Sequence, residues 1–153
     1  MGKIEDRLVE LGHPLPPVVP PVAAYVPAVV TGNLVMTAGQ LPMVEGKLLA
    51  TGKVPSEVSP DLAKQLAQVA ALNALAAVKY AIGDLDRITR IVKVTGFIAS
   101  EPSFTAHPAI NNGASEFLGE VFGDVGVHAR TTVGVSSLPL DAPVEVELVV
   151  EFN

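Results

Sequence analysis

An α+β domain of two layers, helices on one face of a mostly antiparallel sheet, is the fold class this sequence predicts. Three observations predict it. Two stretches, 59–83 and 108–123, carry a helical period bounded by helix start and stop signals. Several shorter runs rich in Val, Ile and Thr alternate apolar and polar residues, as half-buried strands do. These interleave as strand, strand, short strand, helix, strand, helix, strand, strand, an order that puts helices against a sheet. A chain of 153 residues is one ordinary domain, without an internal repeat.

In chain order, Ile4, Leu8 and Leu11 share one helical face and Gly12 can end the turn, so a short helix is expected over 4–11. Five prolines between Pro14 and Pro21 exclude regular helix or central strand, leaving a stiff extended leader up to about residue 20. Tyr25 to Val30 reads as a strand. Thr31-Gly32-Asn33 then signals a hairpin, and 34–38 is the returning strand. Glu45-Gly46-Lys47 is a further turn, followed by a short edge segment from Lys47 to Ala50 and a loop from Thr51 to Val58. Ser59-Pro60-Asp61 supplies an N-cap, a first-turn proline and an acid at the positive end of the dipole. That helix runs to about Ile82 and stops at Gly83, with Leu62, Leu66, Val69, Asn73, Ala76 and Tyr80 as its predicted stripe, widened by Leu72 and Leu75. Arg87 to Ser100 is a long strand. A second helix starts near Pro108 and buries Ile110, Ala114, Phe117, Leu118 and Val121. The last two runs begin at Ala129 and Val144. Val144, Val146, Leu148 and Val150 form an apolar face opposite Glu145, Glu147 and Glu151.

Composition narrows the function. Hydrophobic residues make up 49% and charged residues 17%, too little charge to cover a lone monomer generously, so burial against partner subunits is expected. Ten basic against sixteen acidic residues give a net charge of −6, with no basic cluster of the kind that neutralises phosphates, so nucleic acid is not an expected partner. There is no cysteine, hence no disulfide and no thiolate chemistry. The charged N-terminus lacks a signal core, no apolar run reaches membrane length, and a cytoplasmic location follows as the expectation. His13, His107 and His128 have no metal-ligand spacing, so no metal is expected; His128 stands out only because it precedes Arg130 by two residues.

Arg130 opens the alternating run Arg130-Thr131-Thr132-Val133-Gly134, and the glutamates of 144–152 appear on what reads as the neighbouring strand. Two readings stand. A lone strand-end arginine is commonly an exposed charge paired with a nearby carboxylate, worth little. Alternatively its planar fork grips the carboxylate of a small ligand through two charge-assisted hydrogen bonds.

Three segments resemble the RidA (YjgF-like) family in the right order: Ala-Ala-Tyr25-Val-Pro-Ala-Val-Val-Thr-Gly-Asn followed by Thr-Ala-Gly39-Gln-Leu-Pro, the strand at 85–98, and Ala-Arg130-Thr-Thr132-Val-Gly-Val-Ser-Ser-Leu-Pro, with the glutamate-bearing terminus also similar. The resemblance spans roughly 20–153. It implies a chorismate-mutase-like fold, a homotrimer with clefts between subunits, and hydrolysis of reactive enamines and imines such as 2-aminoacrylate to 2-keto acids and ammonia, without a cofactor. It further implies Arg130 as the carboxylate clamp, Glu145 as partner of the hydrolytic water, and Tyr25, Gly39, Asn111 and Thr132 as pocket residues. Thr132 stands where archetypes carry cysteine, and Ala38 where many carry serine. Non-catalytic binding of small carboxylates such as keto acids is the alternative reading, and endoribonuclease activity, attached to some relatives, fits the acidic balance poorly.

Overall fold

The computed structural model describes residues 1–18 and 23–153. Its centre is β5, Ile88–Ala99, a twelve-residue strand whose Ile91, Val94 and Ile98 are buried. Antiparallel β7, Val144–Phe152, pairs along one side of it, and β6, Ala129–Val135, pairs in parallel along the other. The hairpin of β1, Ala28–Thr31, and β2, Leu34–Thr37, extends the sheet beyond β7, giving the order β1-β2-β7-β5-β6. The two-layer α+β architecture expected from the sequence, a mostly antiparallel sheet with the long helices on one face, is thus present. One expectation about it is overturned: β6 and β7 are not neighbours, because β5 lies between them. A parallel pair needs a crossover rather than a tight turn, and the helix between β5 and β6 provides it.

Both long helices cover the same sheet face. α2, Pro60–Ile82, starts where Ser59 Oγ accepts from Leu62 N at 3.1 Å and ends at Gly83 with φ 83°. Of the predicted stripe, Leu66, Asn73, Leu75 and Ala76 are buried, but its two ends are not. Leu62 is 39% and Tyr80 60% exposed, whereas Ala63, Ala67, Ala70, Ala71, Ala74 and Ala77 are buried. α2 packs on the sheet with one side and against the second long helix with another, and small side chains let backbones approach on both. α3, His107–Phe122, buries the five residues expected of it. It approaches α2 so closely that a Cβ on Gly113 would lie 1.9 Å from the Lys64 carbonyl oxygen. Lys64 and Glu116 then pair across the two helices at 3.1 Å.

The N-terminal helix α1, Lys3–Glu10, buries Leu8 and packs Ile4 and Leu11 against the main core. Its N-cap is glycine and offers no side chain, so capping comes from elsewhere in the chain. Asp86 accepts from the backbone N–H groups of Lys3 and Ile4, each at 2.8 Å, and these bonds hold its carboxyl below the usual carboxylate range. Leu15 and Val18 of the proline-rich leader touch the same core, and the part of the leader at 19–22 lies outside the described residues. β1 begins at Ala28 rather than Tyr25, because Pro27 has no N–H to give the ladder; its carbonyl accepts from Ala38 N at 2.8 Å instead. The short segment after Gly46 pairs back as β4, Lys47–Leu48, on β3, Met43–Val44, through a turn with both Glu45 and Gly46 at positive φ. No described helix is long and apolar enough to cross a membrane.

Two stability outcomes follow. Gly113→Ala is expected to cost about 1–3 kcal/mol, since the Lys64 carbonyl is backbone and cannot swing aside, read as a lower denaturant midpoint at unchanged slope. Asp86→Ala is expected to lose about 1 kcal/mol of capping and to speed amide exchange in α1 without changing that of α2.

Candidate functional site

The crossover that carries α3 over the sheet lays its first turns against the exposed edge strand β6. On β6, Arg130, Thr132 and Gly134 face α3. Arg130 Nη1 donates to Asn112 Oδ1 at 2.6 Å and to Ser115 Oγ at 3.2 Å. One turn nearer the helix start, Asn111 is buried and its Nδ2 donates to Thr132 Oγ1 at 2.8 Å. Room for Asn111 comes from Gly96 on β5, where a Cβ would sit 2.4 Å from Nδ2. Asn111 Oδ1 has no partner among the described residues, and a buried acceptor in that condition asks for a donor. Beside Arg130, His128 Nε2 lies 2.9 Å from Ser115 Oγ, and its Nδ1 lies 2.6 Å from the Gly126 carbonyl.

Among the described residues no carboxylate lies within ion-pair reach of Arg130; neutral acceptors hold it. Among these residues only Nη1 is engaged. The half-buried guanidinium therefore keeps its charge uncompensated and retains donors for an anion.

Glu145 occupies the other side of the sheet. Val144 and Val146 on either side of it are buried under the helices, so its own side chain faces away from them, in register with Phe97. The chain at 39–40 approaches β7 here, with Gln40 bridging Val146. A Cβ on Gly39 would fall 1.9 Å from Glu145 Oε1, so the carboxylate fills the space a side chain would take. Burial pushes the Glu145 carboxyl above its ordinary range, and neighbouring Glu147 adds to the rise. Tyr25 lies before β1 with an exposed ring.

One chain thus brings Arg130, Thr132 and Asn111 together, and separately Gly39 and Glu145. It does not bring the two groups together: they occupy opposite faces with β5 between. Asn112 and Ser115 were not singled out from the sequence, although three-residue spacing on a helix aims both at one neighbour. An apolar cavity of about 520 Å³ between Pro14, Leu15, Met43, Val69 and Leu72 touches none of these groups. It offers no cation, and the Asn73 amide at its wall is spent on the Leu41 and Met43 carbonyls. His13 bonds to Gln68 and His107 to Ser100, so each histidine serves a separate local contact.

The raised carboxyl sets a pH dependence. A folded value above the unfolded one means that folding is disfavoured once the group ionises. The stability it contributes is present below the ordinary carboxylate range and lost as pH rises through the folded value. Glu145→Gln is therefore expected to melt above wild type at neutral pH, the gap closing as pH falls below that range, in a Tm series across pH.

Comparison with known proteins places these groups in a family. The family described as "YjgF/chorismate mutase-like, putative endoribonuclease" matches residues 5–152. The protein TCP17 of Trypanosoma cruzi is 39% identical over 99% of this chain and 96% of its own. A 2-iminobutanoate/2-iminopropanoate deaminase of Dermatophagoides farinae is 34% identical over 85% of this chain and 87% of its own. Among solved structures, the Atu1372 protein of Agrobacterium tumefaciens superposes with a TM-score of 0.92 at 45% identity, covering 98% of this chain and 92% of that one. TdcF of E. coli, solved with bound serine, superposes at 0.63 with 26% identity, covering 89% and 94%. With a fold, a strand order and a near-complete match in agreement, this chain belongs to the YjgF/RidA family.

Proposed function

We propose that this protein hydrolyses small imines and enamines derived from amino acids to 2-keto acids and ammonia. The observation that carries the reading is Arg130: a half-buried guanidinium held by neutral acceptors, with donors left over for a carboxylate. That arrangement favours the anion clamp over the surface ion pair, because an ion pair would have brought an acid to it. The deaminase names borne by relatives give the anion a chemical class, and the serine-bound neighbour is consistent with a ligand of amino-acid size.

The residue types suit the reaction. An imine carbon is already electrophilic, so the site must orient it and deliver water rather than supply a nucleophile. Arg130 fixes the substrate carboxylate. Glu145, its carboxyl raised by burial, takes one proton from water as oxygen bonds to the imine carbon and passes it to the nitrogen, giving a carbinolamine. It then takes the hydroxyl proton as the carbonyl forms and passes that to the nitrogen as well, so that the carbon–nitrogen bond breaks and ammonia departs. Asn111 Oδ1 provides an acceptor for water or for an N–H near Thr132.

Since Arg130 and Glu145 face opposite sides of one sheet, the reading requires Glu145 from a second copy of the chain, with Gly39 beside it, and Tyr25 as a pocket wall. A homotrimer with clefts between subunits satisfies that requirement. The sheet face bearing Glu145 supports it: Val29, Met36 and Val133 are exposed there, alongside partly covered Phe97 and Val149. An alternative of carboxylate binding without turnover is favoured by the serine-bound neighbour alone.

The test is keto-acid release from imines generated in situ by an amino-acid oxidase. Wild type should accelerate release, and Arg130→Ala and Glu145→Gln should each lose at least about a hundredfold. Refolding the two inactive variants together at equal amounts should restore about a quarter of the activity, because each site then draws its two groups independently from two chains. No acceleration by wild type, with keto acids still raising Tm in an Arg130-dependent way, selects the binding reading. Acceleration that survives Arg130→Ala overturns the clamp.

A further inference from the structure

With the His128 ring neutral, the hydrogen bonds behind Arg130 have one consistent direction. The Gly126 carbonyl can only accept, so the His128 Nδ1 at 2.6 Å carries the hydrogen. In the neutral ring Nε2 is then bare and accepts, and its partner at 2.9 Å is the Ser115 hydroxyl. The Ser115 proton therefore points at His128, and its oxygen turns a lone pair to Arg130 Nη1 at 3.2 Å. With Asn112 Oδ1 accepting from the same nitrogen at 2.6 Å, both hydrogens of Nη1 are committed. Two bonds on one terminal nitrogen fix the plane of the guanidinium. They leave the Nε–Nη2 edge, whose parallel N–H groups match the two oxygens of a carboxylate side-on.

We propose that His128 is a positioning residue, acting through Ser115 to lock the rotation of the Arg130 guanidinium so that its Nε–Nη2 edge is presented to the ligand. The chain of control runs Gly126 carbonyl, His128, Ser115, Arg130. Without the imidazole acceptor, the Ser115 hydroxyl is free to turn its proton elsewhere, and Arg130 keeps only Asn112. Ligand grip then weakens while the water-activating side of the site, the Glu145 supplied by a second copy of the chain, is unaffected. The inference rests on the reading of Arg130 as a carboxylate clamp for its ligand consequence, but the locking itself is a property of the free protein.

Two measurements separate the two levels. The first needs no ligand: NMR of the arginine side chain reads rotation about the Nε–Cζ bond of Arg130. Rotation should be restricted in wild type, fast in His128→Leu and Ser115→Ala, and restricted again in His128→Gln, whose side-chain oxygen can stand where Nε2 stands. Free rotation in wild type, or rotation unchanged by His128→Leu, overturns the proposal. So does a Gln variant that behaves like Leu while both fold with wild-type exchange protection. The second uses pyruvate as binding probe and the imine assay for turnover. His128→Leu should raise the pyruvate Kd and the imine KM by about three- to tenfold with kcat within about twofold, the Gln variant should restore both, and Leu combined with Ser115→Ala should add nothing. A fall in kcat at unchanged KM overturns the positioning role. If pyruvate does not bind and turnover ignores Arg130, the clamp reading fails, while the rotation result still decides whether His128 locks the guanidinium.

Discussion

The parallel pairing of β5 with β6 is the constraint on which the rest of this molecule depends. Two parallel neighbours cannot be joined by a tight turn, so the chain must leave the sheet, cross over it and return. The crossover is α3, and its landing place sets everything at the candidate site: Asn111 over Thr132, Asn112 and Ser115 over Arg130. The same pairing puts β5 between β6 and β7 and so separates the cation from the glutamate. A protein with β6 and β7 as a hairpin would have brought the two strands side by side.

Close approach is the second theme, and small residues allow it at each layer. Gly113 admits the backbone of α2, Gly96 admits Asn111, and Gly39 admits the Glu145 carboxylate. The buried alanines of α2 do the same along a whole helix face. This explains a core made with few aromatic residues: Val, Ile, Leu and Ala fill thin spaces between backbones that run near one another.

Local signals in the sequence translated well into structure. Ser59-Pro60 and Gly83 bounded α2, the turn at Gly32-Asn33 closed the first hairpin, and the alternation of 144–152 named its buried face, because caps, turns and pleats are decided by neighbours along the chain. What was misread depends on contacts across the chain. The helical period of α2 names Leu66, Asn73, Leu75 and Ala76 correctly but also names the exposed Leu62 and Tyr80, and it does not reveal the further buried side, lined by alanines, that packing on α3 creates. Nearness in sequence suggests that 129–135 and 144–152 are adjacent, and nothing local announces that β5 lies between them. At the site, Arg130, Thr132 and Asn111 were legible through family resemblance, and they do cluster. Ser115 and Asn112 are ordinary helix residues until the fold sets them beside a guanidinium.

The anchoring of α1 has a consequence for the topology of the chain as a whole. Asp86 holds the backbone of Lys3 and Ile4, while its neighbour Arg87 bonds the backbone of Asn153 in both directions and stacks on Phe152 at 5.0 Å. Two consecutive residues therefore gather residue 3 and residue 153 at one corner of the sheet. A short flexible linker could join them into a ring, and the chain could be reopened at an exposed turn such as Glu45-Gly46, making a circular permutant in which every pairing of the sheet survives.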